Sequence, residues 1–315
     1  MKPLVPILLL AVFAGCQLAP VEAESERFAG PVYGDPFWSH WGDGQAELNS
    51  YDLSTPRYGA ARKGTAVAIF VTETFDPAQR VKSDSGEGLP VMKLNLVEDF
   101  PTGIYDYHWM TSTFMALERF EGRSAGSPVK ITFSGQEWCG HLWSQLLFDA
   151  SSARRALHSY FDGEADQGGN ADYPADGIAE DMLWFWARGL AEPSLDAGES
   201  VEVRLLTALK RARVQHETAD WTPAALSRSA STEQVEVPAG AFEVERWTAQ
   251  TSDGYSRIFL VEAAAPYRIV QWETSEGEKA ELISSERMQY WRMNSPEYEQ
   301  SVERLGLKQR PPQTM

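Results

Sequence analysis

The sequence predicts a mainly β protein: one large curled antiparallel sheet, either an open half-barrel or two packed sheets, with a packed central helix and a short C-terminal helix. Three observations predict it. From Gly64 to Trp291 the dominant hydrophobic period is two. Short Gly, Ser, Pro and Asp breaks separate these runs. Too few helical stretches intervene for βαβ crossovers, so the strands pair antiparallel. A sheet of about a dozen such strands must curl or close to hide its edges.

The ordered part opens at Phe37-Trp38-Ser39-His40-Trp41, with three aromatics before a Gly-Asp-Gly turn. In Thr65–Phe75, Val67, Ile69 and Val71 alternate with Ala68, Phe70 and Thr72. Met92, Leu94 and Leu96 alternate with Lys93 and Asn95, the pattern of a half-buried strand. Ile104–Phe114 is rich in Tyr, Trp and Thr, which favour pleated surfaces. Strands are then expected at Val129–Phe133, Glu137–Phe148 and Ala156–Phe161. Over Asp176–Gly189 the period changes: Ile178, Met182, Phe185 and Trp186 share one helical face, with Asp176 as cap and Gly189 as stop. Trp184 falls about 160° from Trp186 on such a wheel, so the two cannot face the same way. Strands resume over Val201–Leu209, Arg213–Glu217, Thr232–Val237, Phe242–Gln250, Arg257–Glu262, Tyr267–Thr274 and Glu281–Trp291. Asp253-Gly254 and Ser275–Glu278 read as hairpin connections. Ser295-Pro296-Glu297 opens a short helix that stops near Gly306. The chain thus divides into a signal (1–15), a tether (16–36), an N-terminal β half (37–175), a helix (176–190), a C-terminal β half (191–295) and a short helix with tail (296–315).

The first residues, MKPLVPILLLAVFAGCQLAP, place Lys2 before an apolar run from Leu4 to Phe13. That run is too short to span a bilayer and reads as an export signal. Its end, Phe13-Ala14-Gly15-Cys16, resembles the bacterial lipobox, departing from it at Phe13, where Leu is usual. The resemblance implies cleavage before Cys16 and acylation of that residue, so the expected membrane contact is an N-terminal lipid. Gln17 after the Cys resembles the outer-membrane sorting signal of enterobacterial lipoproteins, which implies a periplasm-facing position. Two or more acyl chains hold a protein on a membrane where one barely does. No other stretch approaches 18 consecutive apolar residues.

Removing Met1–Gly15 takes away Lys2 alone. It leaves 45 acidic residues against one fewer than 28 basic ones, a formal net charge of −18. Such a chain repels phosphate backbones, so no nucleic acid partner is expected. With Cys16 acylated, Cys139 has no partner for a disulfide.

The stretch VPAGAFEVERWTAQTSDGYSRIFLVEAAAPYRIVQWETSEGEKAELISS has a turn, strand, hairpin, strand and strand rhythm. It resembles uncharacterised bacterial envelope proteins whose curled sheet is like that of the lipoprotein carriers of the Lol pathway. WSHWGDGQAELNSY, SGQEWCGH and HSYFDGEAD resemble segments of uncharacterised proteobacterial lipoproteins. The Lol likeness implies a concave face that holds acyl chains, with the 178–188 helix as plug. Met182, Phe185 and Trp186 are therefore the ligand-groove candidates.

Residues 136–143, Gln-Glu-Trp-Cys-Gly-His-Leu-Trp, imitate the papain-type string, yet its nucleophile position falls on Leu142, which cannot attack. A separate thiol dyad is the functional reading: on one strand Glu137, Cys139 and His141 share a face, with Glu137 orienting the imidazole. The competing structural reading buries Cys139 as a small core residue. Zinc would need Cys139, His141 and His108, which lack a four-ligand spacing. Asp162-Gly163-Glu164-Ala165-Asp166 begins like a calcium loop, but the EF-hand Gly and Glu positions hold Gln167 and Tyr173. Ser151-Ser152-Ala153-Arg154-Arg155 echoes the Ser-x-Arg-Arg signature of Maf-type nucleotide pyrophosphatases without their α/β context. No catalytic residue, metal or cofactor is assigned. Binding of a hydrophobic or lipid-like ligand is the leading expectation. A structural or partner-binding role comes second, with its protein partner unidentified, and a hydrolase third.

Overall fold

The structure, a computed structural model, describes residues 30–308. Cys16, the signal and most of the tether lie outside the described residues.

Seventeen strands form a single sheet. In chain order they are β1 (Ala46–Arg57), β2 (Ala60–Asp76), β3 (Val81–Lys82), β4 (Leu89–Thr102), β5 (Tyr105–Ala116), β6 (Pro128–Glu137), β7 (Gly140–Phe148), β8 (Ser152–Ser159), β9 (Gln167–Asp172), β10 (Gly177–Ala179), β11 (Ser200–Leu206), β12 (Trp221–Arg228), β13 (Glu233–Val237), β14 (Gly240–Thr251), β15 (Ser256–Glu262), β16 (Ile269–Thr274) and β17 (Lys279–Met288). One arm runs outward from β1 through β2, β4, β5, β6, β7 and β8 to β9. The other runs from β1 through β17, β16, β15, β14, β12 and β11 to β10. The first and last strands therefore meet at the centre, and the two β halves form one sheet. All pairings are antiparallel except β10–β11.

The curl brings the terminal strands together across a seam. β9 passes into β10 through residues 173–176. Across the seam, Trp221 Nε1 donates to the Asp172 carbonyl at 2.7 Å, and the Trp221 ring stacks on Tyr173.

The concave face is filled by the chain itself. Residues 177–188 are buried without exception. After β10 this stretch makes a 3-10 turn (Glu180–Met182) and one α-helical turn, here α2 (Leu183–Trp186). The expected helix is therefore shorter, and Asp176 pairs with Arg204 rather than capping it. Trp184 packs on Trp272 at 4.7 Å and on Phe259 at 5.3 Å. Phe185 meets Phe70, and Trp186 meets Trp247 at 5.0 Å. Both tryptophans are buried although they point apart, because the curled sheet meets each of them: Trp184 through β15 and β16, and Trp186 through β14. Burying each such ring contributes a few kcal/mol.

Ionic contacts fix the two ends of this plug. Arg188 closes one end. Its guanidinium grips Glu47 of β1 at 2.8 and 3.2 Å and donates to the Tyr267 and Pro266 carbonyls. Burial alone would raise the Glu47 pKa. The Arg188 charge, with hydrogen bonds from His40 and Asn49, holds it down at about 2. Helix α1 (Asp35–Trp41) covers this end, seated by Trp41. The C-terminal segment Pro296–Leu305 is a 3-10 helix packed on the outer face of β1 and β17.

Arg213–Glu217, expected as a strand, belongs instead to helix α3 (Leu209–Gln215) and the bend after it. Local pattern favours extension, but α3 is capped from far away. Glu180 accepts from the Ala208 amide at 3.0 Å, and Asp181 accepts from the Leu209 amide at 3.1 Å. These carboxylates satisfy helix-start amides that no neighbouring side chain reaches.

The plug and its clamp predict a measurable cost. Replacing Arg188 by Met strands Glu47 as a buried, unpaired charge and should remove about 3–5 kcal/mol in urea denaturation. Adding Glu47→Leu should recover most of that loss. A single-variant loss below about 1 kcal/mol, within the range of an exposed pair, would contradict the clamp.

Candidate functional site

Helix α3 lies across the other end of the barrel and is tied around its rim. Lys210 Nζ contacts Glu98 of β4 at 2.7 Å and Glu278, beside β17, at 2.5 Å. Arg211 and Gln215 both reach Glu276 at 3.0 Å. Arg213 contacts Glu137 of β6 at 3.2 Å, and His216 pairs with Glu164 in the β8–β9 loop.

Beneath the helix start, four buried carboxyl groups (Glu98, Glu180, Asp181, Glu278) face two cations, Lys210 and Arg257. Full ionisation would leave excess negative charge in a dry site, which is costly. The carboxyls divide accordingly. Burial would raise Glu278, but Lys210 and Arg257 hold it at about 2. Burial and the neighbouring Glu180 charge push Asp181 up to about 7, against its bond from Leu209 and the more distant cations. Burial also raises Glu98, against the pull of Lys210. Its Oε2 has no hydrogen-bond partner among the described residues.

Between α3 and the inner face of β7–β9 lies a cavity of about 270 Å³. Leu142, Leu146 and Leu157 line it from the sheet, and Leu209 and Ala212 from the helix. Arg155, Glu164, Gln167, Arg213 and His216 form its polar rim. Arg213 is fixed there by Glu137 and by the Phe161 ring 3.9 Å below its guanidinium. Arg155 reaches across the seam to the Ala219 carbonyl at 3.4 Å. The cavity is near the small end of ligand pockets, about 300 Å³. Its apolar floor and polar rim can take a compact apolar group and orient it.

The groove candidates lie elsewhere. Phe185 is enclosed by packed rings. Met182 borders a cavity of about 300 Å³ and Trp186 one of about 420 Å³, on either side of the Ala191-Glu192 strap. The three do not converge on one groove.

The thiol-dyad geometry is overturned. Trp138-Cys139 is the turn of the β6–β7 hairpin, so Glu137 sits opposite Gly140 and Gln136 opposite His141. Glu137 consequently points inward to Arg213 and Tyr107, while His141 faces solvent. Cys139 is exposed, not a buried core residue, with Sγ 3.8 Å from the Tyr105 hydroxyl. Among the described residues, no group of three or more His, Cys, Asp or Glu side chains is placed to hold a metal ion. His108 pairs with Asp99 instead. The acidic calcium-like stretch runs into β9, whose Gln167 pairs opposite Leu157. The Ser-Arg-Arg string forms the start of β8.

No family model matches the chain, and no curated protein does. Among solved structures, a beta-barrel-like protein of domain of unknown function DUF1849 from Brucella abortus is similar at 12% identity and a TM-score of 0.45. The match covers 77% of this chain and 97% of that one.

The buried carboxyls give opposite pH slopes. Glu47 and Glu278 are depressed, so their stabilisation is present above about pH 4.5 and is lost as pH falls toward about 2. Asp181 is raised from 3.8 to about 7, so its contribution is complete below about pH 4 and is lost as pH rises through about 7. Stability should therefore peak on the acid side of neutrality. Asp181→Asn keeps an acceptor for the Leu209 amide and should reduce the fall between about pH 4 and 7 by an amount on the order of a few kcal/mol, the raised Glu98 carboxyl keeping a slope of the same sign. Chemical denaturation across pH tests this; a wild-type profile flat over that window would refute it.

Proposed function

We propose that the chain is a binding protein of the bacterial envelope, held to the outer membrane through lipid on Cys16, and that its barrel takes a small hydrophobic or lipid-like group in the cavity under α3. The observation that carries this reading is the pairing of five apolar side chains with a ring of oriented polar groups in the cavity between α3 and the sheet. A carrier of long acyl chains needs an open concave face, and here Gly177–Arg188 occupy that space. The ligand is correspondingly compact. The same filled interior favours, as the second reading, a role in holding a protein partner.

Leu146→Trp fills the cavity from the floor. It should weaken fluorescence-detected binding of anilinonaphthalene sulfonate at least about fivefold, near 1 kcal/mol, with little change in fold by circular dichroism. Undiminished dye binding would move the site elsewhere. For the anchor, metabolic acyl labelling of the wild type should disappear in Cys16→Ser together with membrane association. Labelling that persists would remove the lipid from the account.

A further inference from the structure

The cavity opens beside the outer edge of β9, at Gln167 and Gly168. β9 pairs with β8 alone among the described residues. The Tyr173 amide bonds toward β8, to the Ser151 carbonyl, whereas the Asp172 carbonyl is taken from the other side by Trp221. Backbone groups alternate along a strand, so Gly168 and Asn170 turn their N–H and C=O groups outward with Asp172. Gly168 and Gly169 carry no side chain to obstruct approach, and β9 has neither Pro nor Lys to blunt its edge. The contacts that span the seam here, from Arg155 and Trp221, are side-chain bonds rather than a backbone ladder.

Carboxylates predominate around this edge. Residues 161–176 hold five carboxylates and no Lys or Arg, and Glu217 and Asp220 lie on the stretch that faces them. Asp166, Glu164 and Asp176 are paired with His158, His216 and Arg204. Asp162, Asp172 and Glu217 make no ion pair among the described residues. The cations nearby are largely engaged: Arg204 with Asp176, Arg123 with the Tyr173 and Pro174 carbonyls, Arg213 with Glu137 and Arg155 with the Ala219 carbonyl.

Building on the cavity reading above, we propose that its occupant is an extended, basic polypeptide segment that adds as a strand to the free edge of β9 and inserts an apolar side chain under α3. Backbone bonds to Gly168 and Asn170 would supply affinity that any sequence can use. Alternate side chains would turn inward to the leucine-lined cavity, and the others outward toward the carboxylates. This division of labour is the general logic of strand addition.

The test uses the full chain, immobilised, against a library of short peptides with blocked ends. Selected peptides should carry apolar residues at alternate positions with Lys or Arg between them, and should bind more weakly as salt rises. Asn170→Pro removes only an outward N–H, which an edge strand tolerates. It should reduce affinity for a selected peptide at least about tenfold, while Asn170→Ala should retain it. Dye binding in the cavity should survive Asn170→Pro. No enrichment, or equal binding by Asn170→Pro, would overturn the proposal. If dye binding remains sensitive to Leu146→Trp in that case, only the strand-addition inference falls; if it does not, the cavity reading falls as well.

Discussion

A sheet this wide cannot leave its concave face wet, and the burial of Gly177–Arg188 inside the curl is the contact on which everything else rests. The segment supplies three large aromatic side chains to the interior at once. Its own polar ends must then be neutralised in the same low-dielectric space. At one end Arg188 meets Glu47; at the other, Glu180 and Asp181 cap α3 while Lys210 and Arg257 balance the acids. These pairs fix where the plug sits more than they add to net stability, since desolvation offsets much of their attraction.

That packing also determines where function can reside. The plug fills the centre of the curl, and the cavity that joins an apolar floor to oriented polar groups lies under α3, between Leu209 and Ala212 of the helix and Leu146 and Leu157 of the sheet. The same helix is seated by a cluster whose proton content changes near neutrality, through Asp181. The seam between β9 and β10, the place where the curled sheet fails to zip shut, lies next to this cavity. A filled centre, a roofed pocket and an unsealed edge are thus consequences of one arrangement.

Much of this is legible in the sequence, and the gaps have physical causes. Period-two runs such as Val67–Val71 and Met92–Leu96 announce strands because their inward side chains are uniformly apolar. β1 does not read as a strand, since Glu47 and Asn49 face inward: Glu47 is paired by Arg188, far along the chain, and Asn49 donates to Glu47. The end of α3 reads as a strand because the helix is capped by residues 28 positions upstream. The Trp138-Cys139 turn lacks the Asn-Gly chemistry that marks hairpins, so pattern alone places Glu137 and His141 on one face instead of two. Met182, Phe185 and Trp186 stand out as an apolar helical face, yet periodicity cannot distinguish a groove wall from a filled core. The cavity under α3 joins residues from positions 142–219, and no local pattern connects them.

Native-state hydrogen exchange of Gly177–Arg188 tests the central claim most directly. If this segment is permanent core, its amides should exchange only with global unfolding, at the same free energy as the central strands β1 and β17. Exchange through a separate opening of much lower free energy would mean that the segment leaves the barrel as a unit. The concave face would then be available to a ligand, which contradicts a permanently filled barrel.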